Sequence, residues 1–170
     1  MLQIRAPHEA VESGRLTSAF LTRLAQTTLV SPNLRPGITY RLQYQIPADK
    51  TVPNVYREFG EFQQMPEVFA TGYMVALIEQ ACLLAVKPYL DWPREQTVGT
   101  HVDVSHVAAT PPGHVVTVEC EVTQVEGRRI RFRASARDQN DLISEGTHER
   151  TVIDFERFNQ RLERKKVSAR

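Results

Sequence analysis

The sequence predicts an α+β fold in which a curved antiparallel sheet wraps one long central helix. Three observations carry this. Within "MPEVFATGYMVALIEQACLLAVKPYL", residues 65–90, nearly every residue from Tyr73 to Val86 is apolar. One segment before it and four after it alternate apolar and polar residues with period two, as half-buried strands do. A helix that is apolar all round needs cover on most sides, and strands that each show one apolar face supply it.

Each element follows in chain order. Residues 1–37 form an N-terminal extension, with a short amphipathic helix expected around Leu16–Leu29 and stopped by "SPNLRPG". In "ITYRLQYQI" (38–46), Tyr40, Leu42, Tyr44 and Ile46 share one face of a strand, opposite Arg41, Gln43 and Gln45. Residues 47–70, punctuated by Pro47, Pro53, Gly60 and Pro66, read as a long loop, a length that is usually functional. The apolar helix then runs to just before Pro88, which cannot continue it. In "VGTHVDVSHV" (98–107), Val98, Val102 and Val104 share a face with Thr100 and His106. "VVTVECEVTQV" (115–125) and "RIRFRASAR" (129–137) alternate cleanly, and "LISEGTHERTVIDF" (142–155) less so. "VEGRR" and "DQND" are the hairpin connections, and a helical stub follows at about Phe155–Lys165. This order is that of the hot-dog arrangement. The domain is expected over residues 38–160, with 161–170 as a basic, solvated tail.

Length and composition fit one globular domain with an ordinary core: 170 residues, 41% hydrophobic and 24% charged. A net charge of +1 gives no reason to expect nucleic acid or a membrane surface as partner. Cys82 and Cys120 are far apart in sequence and sit among apolar residues, so neither a disulfide framework nor a metal site is expected. The first residues include acidic side chains and no apolar run of signal-peptide length, so a cytoplasmic, reducing setting is the expectation. Thr71, Gly72, Glu79 and Gln80 interrupt the apolar stretch, which fits a buried helix better than a membrane span.

Glu79 is the anomaly in that helix. A carboxylate among apolar residues is costly unless something satisfies or uses it. It either reaches water or a backbone group, or it is desolvated for work as a base or nucleophile. His106 points at the helix by strand parity, as a satisfied core histidine or as Glu79's working partner. Thr71 reads as the helix N-cap, and the same place would put its hydroxyl near free backbone amides able to hold an oxyanion. Eight helical residues rise about 12 Å, so Thr71 and Glu79 cannot touch directly along one helix. Gly99 permits a bulge, or gives a substrate access to a bare backbone N–H. His148 and Arg150, in "GTHER", share one strand face and suggest a ligand groove, a subunit contact or a solvated edge. "TPPG" (110–113) reads as a rigid turn without a chemical role.

The segments "KTV" (50–52), "PEVFATGYMV" (66–75), Glu79 with "AC" (81–82), "PYL" (88–90), "GT" (99–100), "HVAATPPG" (106–113), "VEGRR" (125–129), "GTHER" (146–150) and "FN" (158–159) together resemble the fluoroacetyl-CoA thioesterase family. The resemblance spans about Lys50 to Asn159. It implies a homodimer with active sites at the subunit interface, no metal, no cofactor beyond the coenzyme A thioester substrate, and hydrolysis of a short-chain acyl-CoA to a carboxylate and free coenzyme A. It implies Thr71, Glu79 and His106 as catalytic residues. Gly99 and Arg150 would contact the substrate, and Phe62 and Met65 would belong to its hydrophobic lid. At Met65 the sequence departs from the fluoroacetate-specific pattern, which has phenylalanine there, so the acyl group stays open. A non-catalytic acyl-CoA binding module on the same fold is the alternative.

Overall fold

The structure, a computed structural model, describes residues 30–167. The helix expected around Leu16–Leu29 lies outside them. Five strands, β1 (Thr39–Gln45), β2 (Glu95–Val104), β3 (Val115–Glu126), β4 (Arg129–Arg137) and β5 (Leu142–Asp154), form one sheet in the order β1-β3-β4-β5-β2. All four pairings are antiparallel. Three helices accompany it: the short α1 (Gly60–Gln63), the long α2 (Thr71–Val86) and α3 (Phe155–Val167). The hot-dog expectation is borne out.

Helix α2 forms because sixteen residues pass without proline, and it ends where a short 3₁₀ turn, Lys87–Tyr89, takes in Pro88. Met74, Leu77, Ile78, Ala81, Cys82, Ala85 and Val86 recur at helical spacing and are buried against the sheet. Their partners are the alternating inner residues of the central strands: Val116, Val118, Cys120 and Val122 on β3, and Ile130, Phe132, Ala134 and Ala136 on β4. Both cysteines are free and buried. The opposite side of α2, with Gly72, Ala76 and Gln80, is exposed, although the helix was expected to be covered on most sides. A single sheet can cover only one side of a helix.

Strand β2 departs from its expected reading. It begins at Glu95, three residues early, and ends at Val104, before His106. Its register against β5 shifts between Gly99 and His101, which leaves Thr100 as the extra residue of a β-bulge. Ahead of the bulge the buried residues are Glu95 and Thr97, at odd positions. Beyond it Val102 and Val104 pair with His148 and Gly146 and face the same way. Simple alternation therefore held for Val102 and Val104 and failed for Val98 and Thr100. Past Val104 the chain still follows β5, since the Ser105 and Val107 amides donate to the Glu145 and Ile143 carbonyls.

Candidate active site

Thr71 is clamped in place by the chain on either side of the loop that precedes α2. The Val52 amide donates to Val68, Ala70 donates to Lys50, and Phe69 donates to the Thr110 carbonyl. Thr110 is itself fully buried, and its hydroxyl donates to Asp138 Oδ2 at 2.9 Å. The Asp138 carboxyl stands below its usual range: burial opposes this, and the Asn140 and Asp141 amides outweigh it. The "TPPG" segment thus ties the start of α2 to the β4–β5 loop and to the chain just after His106. Its link to that loop was not visible in the sequence.

The N-cap of α2 is Ala70, which has no capping side chain, so Thr71 is the first helical residue and not the cap. Its hydroxyl is hydrogen-bonded instead to His106, with Oγ1 and Nδ1 2.8 Å apart. His106 is half-buried, and its Nε2 is buried without a hydrogen-bond partner. Burial pushes the imidazole below its ordinary pKa, with the Ala108 backbone working the other way. His106 is therefore neutral at pH 7 and can accept a proton.

Within a single chain Glu79 does not meet His106, the partner expected for it. It lies two turns further along α2, a rise of about 12 Å from Thr71, and faces β5. Its Oε2 is 3.4 Å from Arg150 Nη1, and its Oε1 is 3.9 Å from His148 Nε2. Nor is it buried, since its side chain keeps 39% of its surface exposed. The desolvation expected from sequence is absent because the Glu79 side of α2 is open in the single chain.

Arg150 is 4% exposed, and each of its three guanidinium nitrogens has a partner. Nε donates to Thr97 Oγ1 at 2.8 Å, Nη2 to the Thr97 carbonyl at 2.9 Å, and Nη1 to His148 Nε2 at 3.2 Å. The tautomer of His148 follows from its other nitrogen. Nδ1 lies 2.8 Å from the His101 carbonyl, which can only accept, so Nδ1 carries the proton and Nε2 offers a lone pair. Burial first, then the Arg150 charge, hold His148 below its ordinary pKa and keep it neutral. The Phe132 ring stacks on it at 6.3 Å.

Gly99 pairs with Arg150 across β2 and β5. A Cβ there would come within 2.5 Å of Glu79 Oε1 and 3.3 Å of His148 Cε1. The missing side chain is the space in which the Glu79 carboxylate sits. Phe62 and Met65 lie on and just beyond α1. Phe62 is half-buried with its ring 6.0 Å from Tyr56, and Met65 is 51% exposed. The Tyr73 hydroxyl donates to the Asn54 carbonyl and fastens this apolar loop to α2.

Thr97, His101 and Thr110 were missed in the sequence. Thr97 could have been found by allowing a bulge at the Gly99–Thr100 step. His101 acts through its backbone carbonyl and left no signal. Among the described residues, no three His, Cys, Asp or Glu side chains gather as a metal ion would require, and no helix is long and apolar enough to cross a membrane.

A five-stranded sheet around one helix, with a hydroxyl–imidazole pair at the helix start and a carboxylate held over Gly99, defines a hot-dog thioesterase, an acyl-CoA thioester hydrolase. The family model for fluoroacetyl-CoA-specific thioesterases matches residues 50–156, and the chain belongs to that family. It is similar to a fluoroacetyl-CoA thioesterase of Streptantibioticus cattleyicolor, 49% identical over 132 residues that cover 78% of this chain and 94% of the relative. A solved structure of a fluoroacetyl-CoA thioesterase carrying a threonine-to-serine substitution, in complex with acetyl-CoA, is 48% identical. It superposes with a TM-score of 0.76 over 78% of this chain and 98% of that one. A hypothetical protein of Thermus thermophilus from the thioesterase superfamily is 25% identical, with a TM-score of 0.71 over 81% of this chain and 96% of its own.

Proposed function

We propose that the protein hydrolyses a short-chain acyl-CoA, with Thr71, His106 and Glu79 as its catalytic residues and a homodimer as its working form. The observation that carries the reading is the 2.8 Å contact between Thr71 Oγ1 and His106 Nδ1. A hydroxyl bonded to a neutral imidazole is a nucleophile beside its base. In the proposed reaction Nδ1 takes the hydroxyl proton while Oγ1 attacks the thioester carbonyl. The C–S bond breaks, and the coenzyme A sulfur leaves with that proton. Water, activated by His106, then cleaves the acyl–Thr71 ester to give the carboxylate.

A second reading, direct attack by water with Glu79 as base, is favoured by one observation: the Glu79 carboxylate is part-exposed beside Gly99, where a substrate can approach. Detection of a Thr71-linked acyl group by mass spectrometry after a rapid quench separates the two.

The dimer is proposed from the open side of α2. In one chain Thr71 with His106 and Glu79 with Arg150 form two half-sites about 12 Å apart. A second copy packed on that side would set one chain's pair opposite the other's carboxylate, cover Ala76 and desolvate Glu79. Acyl-CoA as substrate rests on the relative solved with acetyl-CoA. Phe62 and Met65 are proposed to line the acyl pocket, with Gly99 beside the thioester. Residues 38–160 are taken as the catalytic unit and the cytoplasm as its place, with no cofactor beyond the substrate's own coenzyme A.

The test is free-thiol release from acetyl-, propionyl-, butyryl-, fluoroacetyl- and longer acyl-CoAs by wild type, Glu79→Gln and His106→Ala, all checked for folding by circular dichroism. Turnover by wild type and its loss in folded variants is the expected result. No thiol release from any acyl-CoA up to medium chain length overturns the reading.

A further inference from the structure

We infer that His148 is a positioning residue for Glu79, acting through Arg150. Its neutral Nε2 fixes the guanidinium so that Nη1 also reaches the carboxylate. This inference rests on the hydrolase reading above and deepens it.

Arg150 has five N–H donors, and each left without an acceptor in the core costs stability. Thr97 takes Nε and Nη2 and so anchors one edge of the planar fork. That edge alone does not fix where Nη1 points, because side-chain torsions further back let the fork tilt about it. Among the described residues, the only fixed acceptor of Nη1 is His148 Nε2, at 3.2 Å. Glu79, at 3.4 Å from the same nitrogen, is part-exposed on a flexible side chain and cannot hold the guanidinium by itself.

His148 is built to be rigid where Glu79 is not. It is 1% exposed, its Nδ1–H is committed to the His101 carbonyl, and its ring lies on Phe132. Those contacts settle both tautomer and ring plane, leaving one lone pair directed at Arg150. An outer partner that fixes the tautomer and orientation of a working group is a recurring design at reaction centres. Here the order runs His101 carbonyl, His148, Arg150, Glu79. Gly99 completes it by leaving room for the carboxylate to settle against Nη1.

Two substitutions split the two ends of the imidazole. In His148→Gln, the amide oxygen reaches about where Nε2 was and can accept from Arg150. In His148→Asn, the shorter amide can still donate to the His101 carbonyl but cannot reach Arg150. Steady-state thiol release gives kcat and KM for each, with thermal midpoints measured alongside. The expected result is a kcat about a hundredfold lower in His148→Asn with KM little changed, as for a misplaced reacting group, and recovery of most of that loss in His148→Gln. In a Glu79→Gln background, His148→Asn should add little further loss, because the two act as a unit.

Wild-type kcat in folded His148→Asn overturns the inference, as does a loss that multiplies undiminished in the Glu79→Gln background. Activities that follow the thermal midpoints irrespective of which end of the ring is kept overturn it too, since they mark a purely structural residue. A wild type without turnover overturns the hydrolase reading and this inference with it, so the two failures are distinct.

Discussion

Thr71 and His106, 35 residues apart in the chain, meet at 2.8 Å through Oγ1 and Nδ1. Neither the cap of a helix nor the face of a strand accounts for either one. They meet because Thr110, just past His106, receives the amide of Phe69, just before Thr71.

If these two act as one unit, removing either removes the same step. His106→Ala is expected to lower kcat by about 10²- to 10⁴-fold, the range of a lost general base. Thr71→Ala should do comparable damage, and the double variant should be no worse than the poorer single one. Because Thr71 is exposed and caps nothing, its substitution should move stability by no more than about 0.5 kcal/mol. Thiol release together with urea denaturation checks both halves.

Gly99→Ala sets a methyl group 2.5 Å from Glu79 Oε1. The atom it meets is the end of a flexible side chain, so the carboxylate should yield and not the strand. Activity should fall sharply while the thermal midpoint shifts little. A variant that keeps full turnover would show that the seat of Glu79 beside Gly99 is unimportant.

Thr97→Val keeps shape and removes the acceptor of Arg150 Nε. A buried donor left without a partner costs about 1–3 kcal/mol. The urea midpoint should fall accordingly with an unchanged m-value.

Stability should also depend on pH through the two depressed histidines. His106 and His148 are both held below their ordinary pKa, chiefly by burial. As pH falls below about 6.5 the unfolded chain takes up these protons before the folded one does, so the unfolding free energy falls. The decline ends once pH has passed below the folded-state values. His148→Gln should flatten part of the slope in denaturation curves taken across that window.

If the open side of α2 is a dimer interface, a charge there should break it. Ala76→Glu is expected to give a monomer by sedimentation equilibrium, with the fold retained and thiol release lost. A monomeric wild type with full activity would exclude an interface site.

The elements of this fold were legible because β4 alternates along its whole length and β3 over most of its own, and because α2 has no competing reading. Sequence also singled out Thr71, Glu79, Gly99, His106 and Arg150. It did not show who partners whom. Parity along residues 98–107 cannot register an extra residue, so the inward turn of Thr97 was hidden, and so were the neighbours Glu79 has within its own chain, His148 and Arg150. The supposed burial of Glu79 came from reading a helix as covered all round, when one sheet covers one side. His148 and Arg150 were correctly placed on one face. Only the three-dimensional arrangement shows that both are buried in the core.

The bulge at Thr100 has a consequence for how this strand can tolerate change. A strand counts in twos, and one supernumerary residue resets the count halfway along β2. Thr97 and Gly99 are in phase with Val102 only because of that reset. Were Thr100 drawn into regular pairing, the two ends of β2 would fall out of step, and either the Glu79 seat or the wall beneath His148 would have to turn to the outer surface. Excising Thr100 would do the opposite: Gly99, His101 and Val102 would follow one another in plain alternation opposite Arg150, Glu149 and His148, and the site would stay in phase without a bulge. The strand can therefore lose this residue more safely than it can straighten around it.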